Sequence, residues 1–186
     1  MTRKEEKQQL RAIVRRLESE LSDRYRRSSS AAIAGHLLAM PEYQASGTVF
    51  CFVGTAREID TLPILEHALA SGKRLCVPLC TAPGHMELRE ITALCQLQLG
   101  SYGILEPSAD APAICVDDVD FAIIPCLTCN HLGQRLGKGG GYYDRFLSGS
   151  AAHSIAVAYP FQIFPALPVQ PHDVKIGELL FRKSCT

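Results

Sequence analysis

Thr48-Val49-Phe50-Cys51-Phe52-Val53 is six residues without a charge, rich in β-branched and aromatic side chains, and it reads as a buried strand. Downstream, Pro63 to Ser71 is helical, with Thr61 a candidate cap and Gly72 just past the end. Arg74–Val77 is the next strand. Upstream, Ser28–Met40 reads as a helix stopped by Pro41. Before it, Leu10, Ile13, Val14, Leu17 and Leu21 recur at three- and four-residue steps, which makes residues 3–21 an amphipathic helix. Met86–Ile91 is either a strand or the start of an excursion. Phe121–Ile124 and Ser154–Ala158 are short apolar strands, Tyr142–Leu147 a helix and Glu178–Phe181 a last strand. Pro160, Pro165, Pro168 and Pro171 keep the intervening segment irregular. Strands alternating with helices predict one α/β domain over residues 1–186. The expected form is an open, mostly parallel sheet with helices on both faces, a Rossmann-like three-layer arrangement.

Ligands of such sheets collect in the crevice beyond the strand C-termini. Three segments should meet there: the loop after Val53, bearing Glu58; the turn around Tyr102; and a glycine-rich run. That run is Arg135-Leu136-Gly137-Lys138-Gly139-Gly140-Gly141-Tyr142-Tyr143-Asp144-Arg145-Phe146-Leu147. Consecutive glycines let backbone N–H groups approach a ligand without a Cβ in the way. Arg135 and Lys138 add positive charge, and the helix that follows presents its N-terminus. Together these make an anion site suited to phosphate. Asp144, in the first turn, is placed to hold a Mg²⁺ that bridges phosphate oxygens. The run is not a Walker A loop, and Tyr142 stands where the third glycine of a dinucleotide fingerprint belongs. Lys7 and Arg11 lie four apart, on one flank of the first helix.

Composition narrows the partners. Nineteen basic residues balance nineteen acidic ones, which disfavours a nucleic-acid binder. Residues 1–27 hold nine Lys/Arg, and the cluster Arg24, Arg26, Arg27 reads as a solvated helix end or loop. The first residues are polar and no apolar run has the length of a bilayer span, so a cytoplasmic location without a membrane partner is expected. Eight cysteines are then reduced thiols, and Cys51, Cys76, Cys115 and Cys126 sit in strand-like surroundings. Cys126-Leu-Thr-Cys129 with His131 leaves a Cys/His metal-binding protein as a non-catalytic rival. A structural zinc site needs four ligands, however, and only Cys76-x-x-x-Cys80 is remotely a second pair.

The glycine run resembles the signature of the 5-formyltetrahydrofolate cyclo-ligases, also called methenyltetrahydrofolate synthetases. Further matches follow in order across nearly the whole chain. Lys7-Gln8-Gln9-Leu10-Arg11 is similar to the family's N-terminal Lys-x-x-x-Arg, and Glu58-Ile59-Asp60-Thr61 to its Glu-(Ile/Val)-(Asp/Glu)-Thr element. Gly100-Ser101-Tyr102-Gly103-Ile104-Leu105-Glu106-Pro107 resembles its Gly-x-aromatic-Gly-Ile-x-Glu-Pro segment, and His172-Asp173 its late Asp. Lys138, Asn130 and Gly177 depart from residues common in the family.

The resemblance implies ATP- and Mg²⁺-dependent cyclisation of 5-formyltetrahydrofolate to 5,10-methenyltetrahydrofolate, through phosphorylation of the formyl oxygen. It implies ATP contacts from Lys7, Arg11 and the run Arg135, Leu136, Gly137, Lys138, Gly139, Gly140, Gly141, Tyr142 and Tyr143, with Arg135 and Lys138 acting on the transferred group. Val53, Glu58, Tyr102 and Tyr142 would bind the reduced folate, and Asp144 and Asp173 the metal. A monomer or weak homo-oligomer is expected. A related ATP-dependent enzyme acting on another formamide or carboxyl substrate is the alternative within the same chemistry.

Overall fold

The computed structural model describes residues 2–100, 103–171 and 173–182. At its centre is β1 (Thr48–Cys51), every residue of which is buried. β1 runs parallel to β2 (Arg74–Ala82) on one side and to β7 (Phe121–Pro125) on the other. β7 is followed outward by β10 (His153–Ala158) and β11 (Glu178–Phe181), both parallel to it. Beyond β2 lie β3 (His85–Ile91) and β6 (Ala113–Ile114), each antiparallel to its neighbour. The sheet order is therefore β11-β10-β7-β1-β2-β3-β6. The open α/β architecture with a mostly parallel sheet is as the sequence predicts. The ambiguous segment near Met86 is a strand, the returning arm of the β2–β3 hairpin.

Side chains alternate across β1, and this builds two cores. Val49 and Cys51 face α2 (Asp23–Leu38), α3 (Pro41–Ala45) and α4 (Leu62–Ala70), packing with Ile33, Leu37, Tyr43, Ile64 and Leu65. Phe50 faces the other way, onto α5 (Tyr142–Ser148), its ring 4.7 Å from that of Phe146. β2 continues past Pro78 because β1 ends at Cys51; from there β2 pairs only with β3, where a missing N–H is tolerated. Two small hairpins, β4 (Gln98–Leu99) with β5 (Leu105–Glu106) and β8 (Thr128–Cys129) with β9 (Arg135–Leu136), lie outside the main sheet.

Several boundaries differ from expectation. α1 spans Arg3–Ser19, and α2 starts at Asp23 because the Ser22 hydroxyl accepts the Tyr25 N–H at 3.2 Å. Arg26 is not a solvated charge: it donates to the carbonyls of Glu18 and Leu21, where α1 ends, and of Ala56. Pro41 does more than stop α2; it opens α3 at a first-turn position that needs no N–H. The buried stripe of α1 also differs. Lys7, Val14 and Glu18 are buried, whereas Ile13 is 51% exposed. Among the described residues, no helix is long and apolar enough to cross a membrane.

Candidate active site

The chain leaves β1 toward β2 and later re-enters the sheet on the opposite side at β7. Such a reversal opens a crevice at the C-terminal ends of these two strands. The loop after β1 forms one lip. Thr61 stands at the N-cap of α4 as expected but makes no side-chain capping bond; its buried hydroxyl donates to the Phe52 carbonyl at 2.8 Å and accepts the Gly54 N–H at 2.9 Å. Gly54 has no room for a side chain, since a Cβ would fall 2.2 Å from the Ile59 carbonyl oxygen. The Tyr159 hydroxyl, at the end of β10, donates to the Glu58 carbonyl at 3.0 Å. Glu58 is thus held by backbone on both sides. Its Oε2 accepts the Thr55 N–H (3.1 Å) and hydroxyl (2.8 Å). Val53, by contrast, is buried in the core cluster beside Ile59.

The opposite lip is the glycine loop between β9 and α5. Asn130 fixes the β8–β9 turn, its Oδ1 accepting the N–H groups of Leu132 and Gln134, both at 3.0 Å. Leu136 is buried and anchors β9. Gly139 (φ 110°) and Gly141 (φ 72°) lie in the left-handed region that disfavours other residues. α5 begins directly after Gly141 with no side-chain cap, so its first-turn N–H groups are left for other acceptors. Tyr142 lies against the loop: a Cβ on Gly140 would meet its ring at 2.5 Å. Tyr142 also walls a cavity of about 320 Å³ with Met86, Leu88, Ile114, Arg145 and Phe146. Tyr143 packs toward Phe50 instead, and burial pushes its phenol upward.

α1 closes the crevice from outside. The Arg11 Nε donates to the Gly137 carbonyl at 2.9 Å, and its guanidinium lies 3.4 Å from where a Gly139 Cβ would be. Burial lowers the Arg11 pKa, with Arg15 adding to the effect. Lys7 is buried and donates to both oxygens of Asp173 (2.9 and 2.6 Å) and to Gln170 (3.1 Å). Arg135 sits under the loop, its side chain 2% exposed, paired with Asp144 Oδ1 at 2.9 Å and 5.8 Å from the Tyr143 ring centre. The Val174 N–H donates to the same Asp144 oxygen at 3.4 Å, which brings Asp173 and Asp144 to one corner. Lys138 Nζ pairs with Glu58 Oε1 at 2.8 Å. The structure therefore gathers Lys7, Arg11, Arg135, Lys138, Glu58, Asp144 and Asp173 round one cleft, each cation but Arg11 against a carboxylate. Tyr102 lies outside the described residues.

Three contributors are given no role by the motifs, although Arg145 and Glu106 stand within them. Glu18 is 5% exposed, and its carboxylate accepts from Gln162 Nε2 at 3.0 Å. Its pKa is raised by burial first and by the Glu58 charge second. It lies seven residues beyond Arg11, so extending the Lys7–Arg11 stripe along the helix would have found it. Arg145 Nη1 donates to the carbonyls of Gly84 and Gly140, latching the β2–β3 hairpin tip to the glycine loop. Glu106 Oε1 accepts the Cys80 N–H at 3.1 Å, fastening β5 to β2.

The thiol-centred rival gains no support. Hydrogen bonding to Cys129 and burial raise the Cys126 thiol well above its usual range, and its Sγ donates to the Val157 carbonyl at 3.7 Å. His131 packs on Phe181. Among the described residues, no group of three or more His, Cys, Asp or Glu could hold a metal ion.

The family model for 5-formyltetrahydrofolate cyclo-ligases matches residues 3–182. A mouse (Mus musculus) 5-formyltetrahydrofolate cyclo-ligase is 28% identical over 191 residues, covering 96% of this chain and 94% of the relative. The Escherichia coli K12 protein of the same name is 25% identical, covering 88% and 93%. The solved structure of the Aquifex aeolicus 5,10-methenyltetrahydrofolate synthetase superposes with a TM-score of 0.84 at 30% identity, over 95% of this chain and 92% of that one. The chain belongs to the 5-formyltetrahydrofolate cyclo-ligase family.

Proposed function

We propose that this chain converts 5-formyltetrahydrofolate to 5,10-methenyltetrahydrofolate at the expense of ATP, releasing ADP and phosphate. The observation that carries the reading is the approach of Arg11 and the glycine loop, with Lys138 reaching Glu58 across the cleft. A formamide oxygen is a poor leaving group and the folate N10 a weak nucleophile, so the oxygen has to be activated. The formyl oxygen attacks the γ-phosphorus; the bond from that phosphorus to the β–γ bridging oxygen breaks and ADP leaves. N10 then adds to the activated carbon, loses its proton, and expels the oxygen as inorganic phosphate. No covalent enzyme intermediate is needed.

The protein's part is placement and charge. Arg11, Lys138 and the backbone N–H groups of residues 137–141 neutralise the phosphates, Arg135 supports the loop from below, and Lys7 adds charge from α1. Glu58, already oriented by Thr55, accepts from the pterin N–H and exocyclic amine, while Tyr142 borders the ring; Val53, buried in the core, backs the Glu58 loop instead of touching the ligand. Asp144 and Asp173 suit Mg²⁺, which takes one or two carboxylates with substrate phosphates rather than a closed protein cage. Asp144 meets both described partners through Oδ1, which leaves Oδ2 for a cation. Mg²⁺ held there would supply charge neutralisation on the phosphates.

The test mixes the protein with Mg-ATP and 5-formyltetrahydrofolate and follows the near-ultraviolet absorbance of the methenyl product. Product formation dependent on ATP is expected. No product at saturating substrate rejects the assignment.

A further inference from the structure

Lys138 stands on the nucleotide lip of the cleft and Glu58 on the folate lip, yet they form one ion pair at 2.8 Å. The two ends of this pair are unequally fixed. Glu58 has its Oε2 engaged by Thr55, its backbone carbonyl held by Tyr159, and a side chain only 13% exposed. Lys138 is 54% exposed on a flexible stem. The ammonium is therefore the end that can leave.

We infer that Lys138 couples the two substrates: nucleotide and folate bind cooperatively because each has to open the same Lys138–Glu58 pair. The inference rests on the proposed function and adds to it a coupling between the two substrates. A pterin edge that donates to Glu58 competes with Lys138 for Oε1. A triphosphate drawing Lys138 into the glycine loop competes with Glu58 for the ammonium. Whichever ligand arrives first bears the cost of separating the pair, and the second does not. Linkage makes the effect reciprocal, so each ligand tightens the other by the same factor.

Glu18 strengthens the coupling. Its carboxylate lies near enough for the charge of Glu58 to disfavour its ionisation and for Lys138 to favour it. When the ammonium withdraws, less positive charge offsets the repulsion between these two carboxylates, which adds to the cost of opening the pair until N–H donors reach Glu58 Oε1.

The experiment is calorimetric titration of the full chain with 5-formyltetrahydrofolate and with a non-hydrolysable ATP analogue in Mg²⁺, each alone and in the presence of the other. In the wild type each ligand should bind about fivefold tighter when the other is present, the lower end of measured couplings. Lys138→Met should bind folate alone about fivefold tighter than the wild type does, and saturating nucleotide should no longer change that affinity. Glu58→Gln supplies an independent arm. It frees Lys138, so the nucleotide alone should bind tighter even though folate binding weakens. A merely structural carboxylate would not improve nucleotide affinity when lost. Equal folate affinities with and without nucleotide in the wild type overturn the inference, as does coupling that survives Lys138→Met or nucleotide affinity that fails to rise in Glu58→Gln. Binding of both ligands without coupling leaves the proposed function standing, whereas failure of the wild type to bind either ligand removes both.

Discussion

Replacing Asp144 with alanine should destabilise the protein through Arg135 rather than through lost packing. The Arg135 side chain is 2% exposed, and its Nε has no partner among the described residues. Asp144 Oδ1 is its charge partner at 2.9 Å. Deleting one member of a fully buried pair costs about 3–5 kcal/mol, because the other charge is left without compensation. Asp144 is 27% exposed, so water reaches one end of the pair and the cost falls to about 2–3 kcal/mol. For a chain of 186 residues this lowers the melting temperature by roughly 5–10 °C. Thermal melts of Asp144→Ala and of Arg135→Met/Asp144→Ala provide the assay. The double variant should recover most of the loss, since no unpaired guanidinium remains. A single variant melting with the wild type, or a double variant melting lower than the single, refutes the reasoning. Asp144→Asn separates the metal role: it keeps an acceptor for Arg135 but should raise the Mg²⁺ concentration needed for turnover. Unchanged metal dependence would leave Asp144 as a structural partner only.

Arg145→Ala releases the hairpin tip from the glycine loop and should raise KM for ATP about tenfold, the equivalent of one charge-assisted hydrogen bond, with kcat less affected. Equal losses in both constants would contradict a positioning role. Thr61→Val leaves the Phe52 carbonyl and the Gly54 N–H without their described partner and should cost about 2–3 kcal/mol in urea denaturation; a smaller change would show that the Glu58 loop is held by other contacts. Glu18 has a folded-state pKa raised above the ordinary glutamate value of 4.5, so the folded state binds more protons across the interval between the two. Its contribution to stability is therefore present below that interval and declines as pH rises through it. Denaturation of Glu18→Gln across the interval should lack this decline, and slopes equal to those of the wild type would dismiss it.

The main strands were legible because their chemistry is local. Val49, Phe121 and Ile155 belong to short uncharged runs, and such runs serve as buried strands in a parallel sheet. The glycine loop was legible for a similar reason, since Gly139 and Gly141 need backbone conformations that few residues tolerate. The seating of α1 was not. Leu10, Ile13, Leu17 and Leu21 advertise an apolar stripe, but the helix turns Lys7 and Glu18 inward because Asp173 and Gln162, more than 140 residues away, receive them. Nothing near Lys7 in sequence announces that partner. The pairing of Arg135 with Asp144 and of Lys138 with Glu58 was equally hidden: each residue was identifiable as charged and well placed, but which charge meets which is decided by tertiary approach.

The seating of α1 has a mechanical corollary. Val14 is the one apolar residue among its fully buried positions, and the others are an ammonium and a carboxylate. A wall fastened by two buried polar contacts and a single buried valine removes less apolar surface from water than the strands do. α1 should therefore breathe at a lower free energy than the sheet, exchanging its amide hydrogens early. Entry to the crevice then costs the protein a local loosening at its rim, while the strands that define the floor stay shut.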